Sequence, residues 1–261
     1  MIKETTLFED VDKVEIAIKR LKLHEPKEGY YVAFSGGKDS IVLLDIIKKS
    51  GVKYKAYHSI TNIEPPELMQ FIKEYYPEVI QVSPKETFWQ LVIKNGVPPT
   101  RLMRYCCKLM KENHGVGEFK VIGIRHEESV ARSKRKFLEP CARGTGTRFI
   151  APIIEWSNED IWQYIKENNI PYCKLYNEGW DRIGCLFCPN CTQKEKQLHC
   201  ISYPQYKKQF IKIFDKMIQK RKEKGLKTEW KDGAECFEWW ITEKKKKEEQ
   251  EETLFEPINL M

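Results

Sequence analysis

Two groups of cysteines and one glycine-flanked lysine are the residues of this chain best suited to chemistry. Cys106 and Cys107 are adjacent in "RLMRYCCKLMK", and Cys185, Cys188 and Cys191 follow one another at two-residue gaps in "DRIGCLFCPNC". Thiolates at C-x-x-C spacing clamp one metal, or one edge of a cluster, from a single turn, and a distant adjacent pair can close the other side. A local alternative places Cys185, Cys188, Cys191 and Cys200 about one zinc ion. Cys141, Cys173 and Cys236 read as structural thiols. The third feature is "FSGGKDS", which follows the apolar run "YYVA" and precedes a helical pattern. A strand that runs through a glycine turn into a helix makes an anion site, because free backbone N–H groups and the positive end of the helix dipole converge there. The spacing excludes a Walker A loop, which needs Gly at 32 and Ser or Thr at 39 where the chain has Val32 and Asp39. As local structure alone, Asp39 and Ser40 are expected to cap the helix.

The elements that position these residues alternate regularly. "EDVDKVEIAIKRLK" reads as an amphipathic lead-in helix; "YYVAF", "VKYKAYHSI", "EVIQVS" and "FKVIGIR" read as strands; "DSIVLLDIIKKS", "PPELMQFIKEYY", "KETFWQLVIKNG" and "NEDIWQYIKENN" read as helices. Such alternation predicts an α/β fold, a mostly parallel sheet with helices on both faces, with ligands at the carboxyl ends of the strands. Residues 173–202 read as irregular, and "SYPQYKKQFIKIFDKMIQKRKEKG" as a long helix closed by Gly225. The expected division is a lead-in at 1–27, an α/β domain at 28–172, and a small Cys-rich, helical C-terminal subdomain at 173–261.

Composition narrows the class. The chain has 261 residues, 32% of them charged, a formal charge of +7 and a mean hydropathy of −0.58. No apolar run is long enough to span a bilayer, and the first twenty residues carry acids where a signal peptide needs an apolar core. A soluble, cytoplasmic protein without a membrane partner is expected. In that reducing setting nine cysteines point to metal or redox chemistry rather than disulfides. The positive charge favours an anionic partner such as a nucleotide phosphate, a sulfate ester or nucleic acid. The lysines at 244–247 are followed at once by acids, so that run is expected to be a solvated helix end.

The glycine turn resembles the PP-loop of the ATP pyrophosphatase superfamily, whose members hold the pyrophosphate end of ATP. The resemblance implies that Ser35, Gly36, Gly37, Lys38, Asp39 and Ser40 bind the nucleotide, with Lys38 as countercharge and Asp39 as a magnesium contact, and it implies an adenine nucleotide alpha hydrolase-like fold. The Cys-Cys pair followed far downstream by C-x-x-C resembles the [4Fe-4S] pattern of the phosphoadenylyl and adenylyl sulfate (PAPS/APS) reductase family. By that resemblance Cys106, Cys107, Cys185 and Cys188 hold the cluster. "VIGIRHEESVARSKR" resembles the family's G-x-R-x-x-E-S-x-x-R element, which implies that Arg125, Glu128, Ser129 and Arg132 lie near the nucleotide or an anionic substrate, and that Arg125 acts with Lys38 and Asp39 in catalysis. Arg182 is expected to face the same cleft, and "TNIEPPEL" looks like the loop beside the nucleotide. "EWSNEDIWQYI" reads as a helix capped by Ser157 with Trp162 in the core.

Two departures shape the functional expectation. Reductases of this family generally have a degenerate loop without the lysine, whereas this chain keeps "SGGKDS". They also end in a mobile E-C-G-L-H element, whose nearest counterpart here, "AECFEWW", carries Cys236 but reads as a packed helix. The expectation is therefore an ATP-dependent enzyme similar to cluster-containing sulfurtransferases of nucleic-acid thiolation or phosphorothioation. It would adenylylate an acceptor, a nucleic acid among the candidates, and take sulfur or electrons from a donor protein. The alternatives are an APS/PAPS reductase that depends on Cys236, and a zinc-containing nucleic-acid-binding module with Trp180, Phe187, Tyr203 and Tyr206 as its footprint.

Overall fold

The computed structural model describes residues 2–5, 10–142 and 144–242. The lysine run at 244–247 and the acids after it lie outside the described residues. The chain forms two compact units, and no single cut in the sequence separates them. One comprises Met1–Ile60, Glu64–Ser83 and Glu112–Gly184; the other comprises Thr61–Ile63, Pro84–Lys111 and Cys185–Met261.

The first unit opens with a short antiparallel hairpin, β1 (Lys3–Thr5) and β2 (Asp10–Asp12), followed by α1 (Lys13–Leu23). The Asp12 carboxylate caps α1 by accepting from the Val14 N–H at 2.8 Å. The body is a six-stranded sheet built from β3 (Tyr30–Ala33), β4 (Tyr54–Ser59), β5 (Ile80–Val82), β6 (Phe119–Val121), β7 (Leu138–Pro140) and β8 (Arg148–Ile150), in the spatial order β5-β4-β3-β6-β8-β7. All neighbours are parallel except β7 and β8. It is the α/β sheet with helices on both faces that the alternation predicts. The antiparallel edge pair is not legible in the sequence, because each strand is only three residues long; Pro140, which has no N–H to donate, suits an edge.

From β3 the chain steps outward through α2 (Lys38–Ser50) to β4 and through α3 (Pro66–Tyr75) to β5, then returns to the other side of β3 as β6. The carboxyl end of β3 is thus a topological switch point, where open α/β sheets leave a crevice. The helix that starts there is central to the core. Ile41, Val42, Leu43, Leu44, Ile46 and Ile47 of α2 are all fully buried, so its amphipathic pattern is nearly lost. Helix α7 (Asn158–Glu167) lies against α2, and its Tyr164 hydroxyl donates to Asp45 at 2.7 Å.

The second unit is helical: α4 (Phe88–Asn95), a single turn α5 (Tyr105–Cys107) running into a wide π turn at Lys108–Glu112, then α8 (Gln193–Ser202), α9 (Pro204–Glu223) and α10 (Gly233–Ile241). The one-turn helix α6 (Val130–Ser133) belongs to the first unit. Residues 173–202 are not all irregular: Thr192 and Glu195 form a capping box that starts α8, a T-x-x-E signature present in the sequence. Phe88, Phe187, Phe210, Phe214, Phe237 and Trp240 share one aromatic core in edge-on contacts. Cys236 is fully buried in α10. Among the described residues no helix is long and apolar enough to cross a membrane.

Two glycines isolate the constraint at the loop. Gly36 and Gly51 both have positive φ, +76° and +71°, but a β-carbon at Gly36 would sit 2.8 Å from the buried Leu68 and Ile72, while one at Gly51 meets nothing within 4 Å. Gly51→Ala should cost the backbone term alone, about 1 kcal/mol, and Gly36→Ala at least about 1 kcal/mol more. Urea denaturation of the two variants measures the difference; equal losses would mean that the loop is not packed as described.

Candidate functional site

The loop between β3 and α2 is held by its own hydroxyls. Ser40 donates through Oγ to the Gly37 carbonyl at 2.9 Å, and the Ser35 backbone N–H and hydroxyl both reach Ser40 Oγ, at 3.3 and 3.1 Å. The residue that caps α2 is Gly37, with no side-chain cap. The expectation that Asp39 and Ser40 cap the helix is corrected: Ser40 closes the turn from inside, and Asp39 turns toward a cation. A helix start without a carboxylate or hydroxyl cap leaves its dipole available to another anion.

Lys38 is buried and pre-positioned. Its ammonium donates to the Asp181 carbonyl at 3.1 Å and lies 5.7 Å from the centre of the Tyr176 ring. Its backbone N–H donates to the Tyr176 hydroxyl at 2.8 Å. The phenol oxygen therefore takes an acceptor position at the helix start, of the kind a phosphate oxygen takes. Burial pushes the Tyr176 pKa up, so it meets this N–H as a neutral phenol. Neither Tyr176 nor Asp181 was marked by the sequence reading; the segment "KLYNEGWD" carries no pattern that ties it to the loop.

Arg125, at 3% exposure, donates from Nε to Asp39 at 2.6 Å and from Nη1 to Glu127 at 2.9 Å and the Trp156 carbonyl at 3.2 Å. The second oxygen of Asp39 lies 3.9 Å from the Lys38 ammonium. With cations against both oxygens, Asp39 does not fit the expected role of magnesium ligand in this arrangement. The other members of the arginine element divide. Glu128 accepts from the Arg125 backbone N–H and pairs with Arg132; Ser129 caps α6; Arg132 is half-buried. Arg182 is exposed, with its charge felt by the Tyr176 phenol.

A cavity of about 590 Å³ opens beside Arg125, lined by Glu127, Glu128, Asn158, Trp162, Tyr176, Trp180 and Asp181 among others. That volume is in the range of small-molecule sites. Ser157 caps α7 as expected, but Trp162 is half-buried and forms a wall of this cavity, edge-on to Tyr176 with centroids 5.1 Å apart. Its helical position alone does not distinguish a core face from a cavity wall.

In the second unit Cys106, Cys107, Cys185 and Cys188 line one narrow, apolar cavity with Thr61, Ile63, Phe88, Met110, Lys111, Pro189 and Trp240. A hydrogen bond to Cys107, then burial, then the fields of Cys107, Cys185 and Cys188 raise the Cys106 pKa; the same hydrogen bond, Lys111 and Arg104 lower that of Cys107. Four thiols that feel one another in an apolar pocket are a donor set for a multinuclear, thiolate-held centre. Among the described residues no three His, Cys, Asp or Glu side chains gather about a single ion position. Cys200 responds to Lys207 and Glu238 and to no cysteine. Cys185 also receives contacts from Lys111 Nζ and Thr61 Oγ1, each at 3.3 Å.

The C-x-x-C turn has a brace that the sequence reading missed. Phe187 lies inside it with φ of +55°, a strained conformation for a bulky residue, and is fully buried. Its N–H donates to Nδ1 of His199 at 2.9 Å, and the two rings meet edge-on. Trp180, Phe187 and Tyr203 are buried, so they do not form the stacking surface expected of a nucleic-acid footprint.

Residues 29–191 match the model of the phosphoadenosine phosphosulfate reductase domain family. The chain belongs to this family. An uncharacterized protein of Methanocaldococcus jannaschii is 31% identical over 204 residues, covering 73% of this chain and 41% of the relative. An adenosine 5'-phosphosulfate reductase of Oceanobacillus iheyensis is 30% identical over 167 residues, covering 60% of this chain and 69% of the relative. The chain spans about half the length of the Methanocaldococcus relatives it matches. The crystal structure of a phosphoadenylyl-sulfate reductase from Candida auris superposes with a TM-score of 0.50 at 21% identity, covering 67% of this chain and 88% of that one, and shares the fold.

The His199 brace gives the family member an acid-sensitive turn. Burial pushes the His199 pKa down to about 4 from the ordinary 6.5. The unfolded chain therefore binds this proton first as pH falls, so the stability that the neutral imidazole contributes is complete above pH 6.5 and is lost between 6.5 and about 4. Urea denaturation across that window should show wild type losing about 2–3 kcal/mol more than His199→Gln, which keeps an acceptor and does not titrate. Parallel profiles would refute the brace.

Proposed function

We propose that this chain is an ATP-dependent enzyme that activates an acceptor oxygen as its adenylate for replacement by sulfur. The observation that carries the reading is Lys38: a lysine kept in the loop, buried, and already held at the start of α2 by the Asp181 carbonyl and the Tyr176 ring. A binding site for a ready-made sulfonucleotide has no departing pyrophosphate to stabilise; a site that cleaves ATP between its α and β phosphates does.

In this reading the β and γ phosphates rest on Ser35–Ser40, displacing the Tyr176 hydroxyl from the Lys38 N–H. The acceptor oxygen attacks the α phosphorus, the bond from that phosphorus to the bridging oxygen breaks, and pyrophosphate leaves against the Lys38 ammonium and the helix dipole. Arg125, fixed by Asp39 and Glu127, orients the loop rather than meeting the phosphates. Magnesium enters as part of the nucleotide substrate. In the second half sulfur attacks the activated centre and AMP departs. Cys106, Cys107, Cys185 and Cys188 would hold a [4Fe-4S] cluster, and such a cluster, when bound, supplies iron that can carry the sulfur. Nucleic acid is the acceptor class we favour.

The second reading is a sulfonucleotide reductase, supported by the relatives named adenosine 5'-phosphosulfate reductase. It needs a nucleophilic cysteine, and Cys236, the nearest sequence counterpart, is fully buried, with burial pushing its thiol pKa up.

Pyrophosphate release from ATP, measured on anaerobically purified protein, separates the two. Release that falls by about three orders of magnitude in Lys38→Ala, with iron and sulfide content unchanged, is the expected result. Sulfite formation from adenylyl sulfate with thiol and no ATP, lost in Cys236→Ser, would replace this reading with the reductase.

A further inference from the structure

The helix α9 buries Phe210, Phe214, Met217 and Ile218 on one side. On the opposite side Lys208, Lys212 and Lys216 recur at every fourth residue, followed by Lys222 and, at the C-cap, Lys224; all five are exposed. None of the five has an ion pair among the described residues. The helix carries seven basic residues against two acidic ones, and both acids are engaged inside the unit, Asp215 by the Gly233 N–H at 2.6 Å and Glu223 by Gln219 at 3.2 Å. Its one arginine is engaged as well, with Arg221 donating to the Lys227 and Gly96 carbonyls.

Like charges four residues apart on a helix repel. A face built only for solubility would alternate signs, as charged surface helices commonly do. Here the repulsion runs over roughly 20 Å of helix axis, at a rise of 1.5 Å per residue. A single bound phosphate would use a fraction of that length; a polyanion uses all of it. The side that would enter a bilayer is already buried in the unit's aromatic core, and the exposed side offers no large apolar residue to insert. The free cations are lysines, point charges suited to a phosphate backbone rather than to the forked recognition of base edges.

We propose that the lysine face of α9 is a docking surface for the phosphate backbone of nucleic acid, bound without regard to sequence. This goes beyond the nucleotide chemistry above and does not depend on it: the face would hold the polymer whether or not ATP is cleaved.

The test is fluorescence anisotropy with a labelled 30-nucleotide RNA and a 20-base-pair DNA duplex, between 50 and 250 mM salt, on the full chain. Binding by wild type and a steep salt dependence are expected. Replacing Lys208, Lys212 and Lys216 together by Gln should lower the slope of log affinity against log salt by about 2 to 3, and weaken binding at 50 mM salt at least about tenfold. The same number of charges removed elsewhere, at the exposed Lys22, Lys27 and Lys73, should leave the slope near the wild-type value. Thermal melting checks that the variants fold, which three exposed Lys→Gln changes should preserve. No binding by wild type, equal losses in the two triple variants, or tighter binding to phosphatidylglycerol vesicles than to either nucleic acid would each overturn the proposal.

Discussion

An arginine almost wholly removed from water must have its charge met, and the way Arg125 is met organises the loop end of the first unit. Breaking a buried, hydrogen-bonded ion pair costs several kcal/mol, because the remaining charge is left unpaired in a low dielectric. Arg125 comes just after β6, Asp39 from the first turn of α2, Glu127 from the short turn that follows Arg125, and Trp156 from the approach to α7. One guanidinium therefore ties the two sides of the switch point to each other. Gly123 serves the same junction by allowing close approach: a β-carbon there would lie 3.2 Å from the Asp39 carbonyl oxygen. These contacts fix the far side of the loop, and in the proposed reaction they would hold Lys38 and the helix dipole in place against the leaving group.

The sequence made the sheet, the loop and the cysteine groups legible for a common reason: each is encoded by residues close together in the chain. Period-two and period-3.6 patterns mark β3 and α2, and "SGGKDS" and the cysteine spacings are contiguous strings. What escaped is long-range or dual-use. Tyr176 reaches Lys38 across 138 residues, and no local pattern announces a phenol aimed at a backbone N–H. Trp162 and Trp180 have the same apolar signature whether they face a core or a cavity, and the structure puts both on the cavity wall, the first half-buried and the second nearly out of water. Trp180, Phe187 and Tyr203, offered as part of a nucleic-acid footprint, are buried, an outcome the same ambiguity hid.

The cysteine site shows how a turn can be made to present thiolates. Cys185 and Cys188 flank Leu186 and Phe187, both with no exposure, so the turn is anchored by side chains pointing away from the sulfurs. A left-handed Phe is unfavourable in isolation. It persists because its ring enters the core of Phe210 and Phe237 and its N–H has a dedicated acceptor on α8. Strain of this kind is maintained only where the surroundings over-determine it. The same logic explains Cys236: its place in α10, whose Gly233 lets the helix approach α9 so closely that a β-carbon would fall 2.2 Å from the Ile211 carbonyl oxygen, makes it part of the packing. A residue in that position is not free to swing toward a substrate.

Charge arrangement in the first unit bears on which substrate the cavity admits. The family resemblance assigns Arg125, Arg132 and Arg182 to an anion, and an anionic sulfonucleotide would need at least one of them unpaired. Arg125 is neutralised by Asp39 and Glu127, and Arg132 by Glu128, while the cavity wall adds Asp181 to two of those glutamates. Lys38 at the loop and the exposed Arg182 remain without a carboxylate inside 3.5 Å among the described residues. Of these, Lys38 is buried at the loop, where the proposed reaction would place pyrophosphate. The neighbouring cavity presents carboxylates and aromatic faces, which in the proposed reaction would suit a planar, hydrogen-bond-donating acceptor.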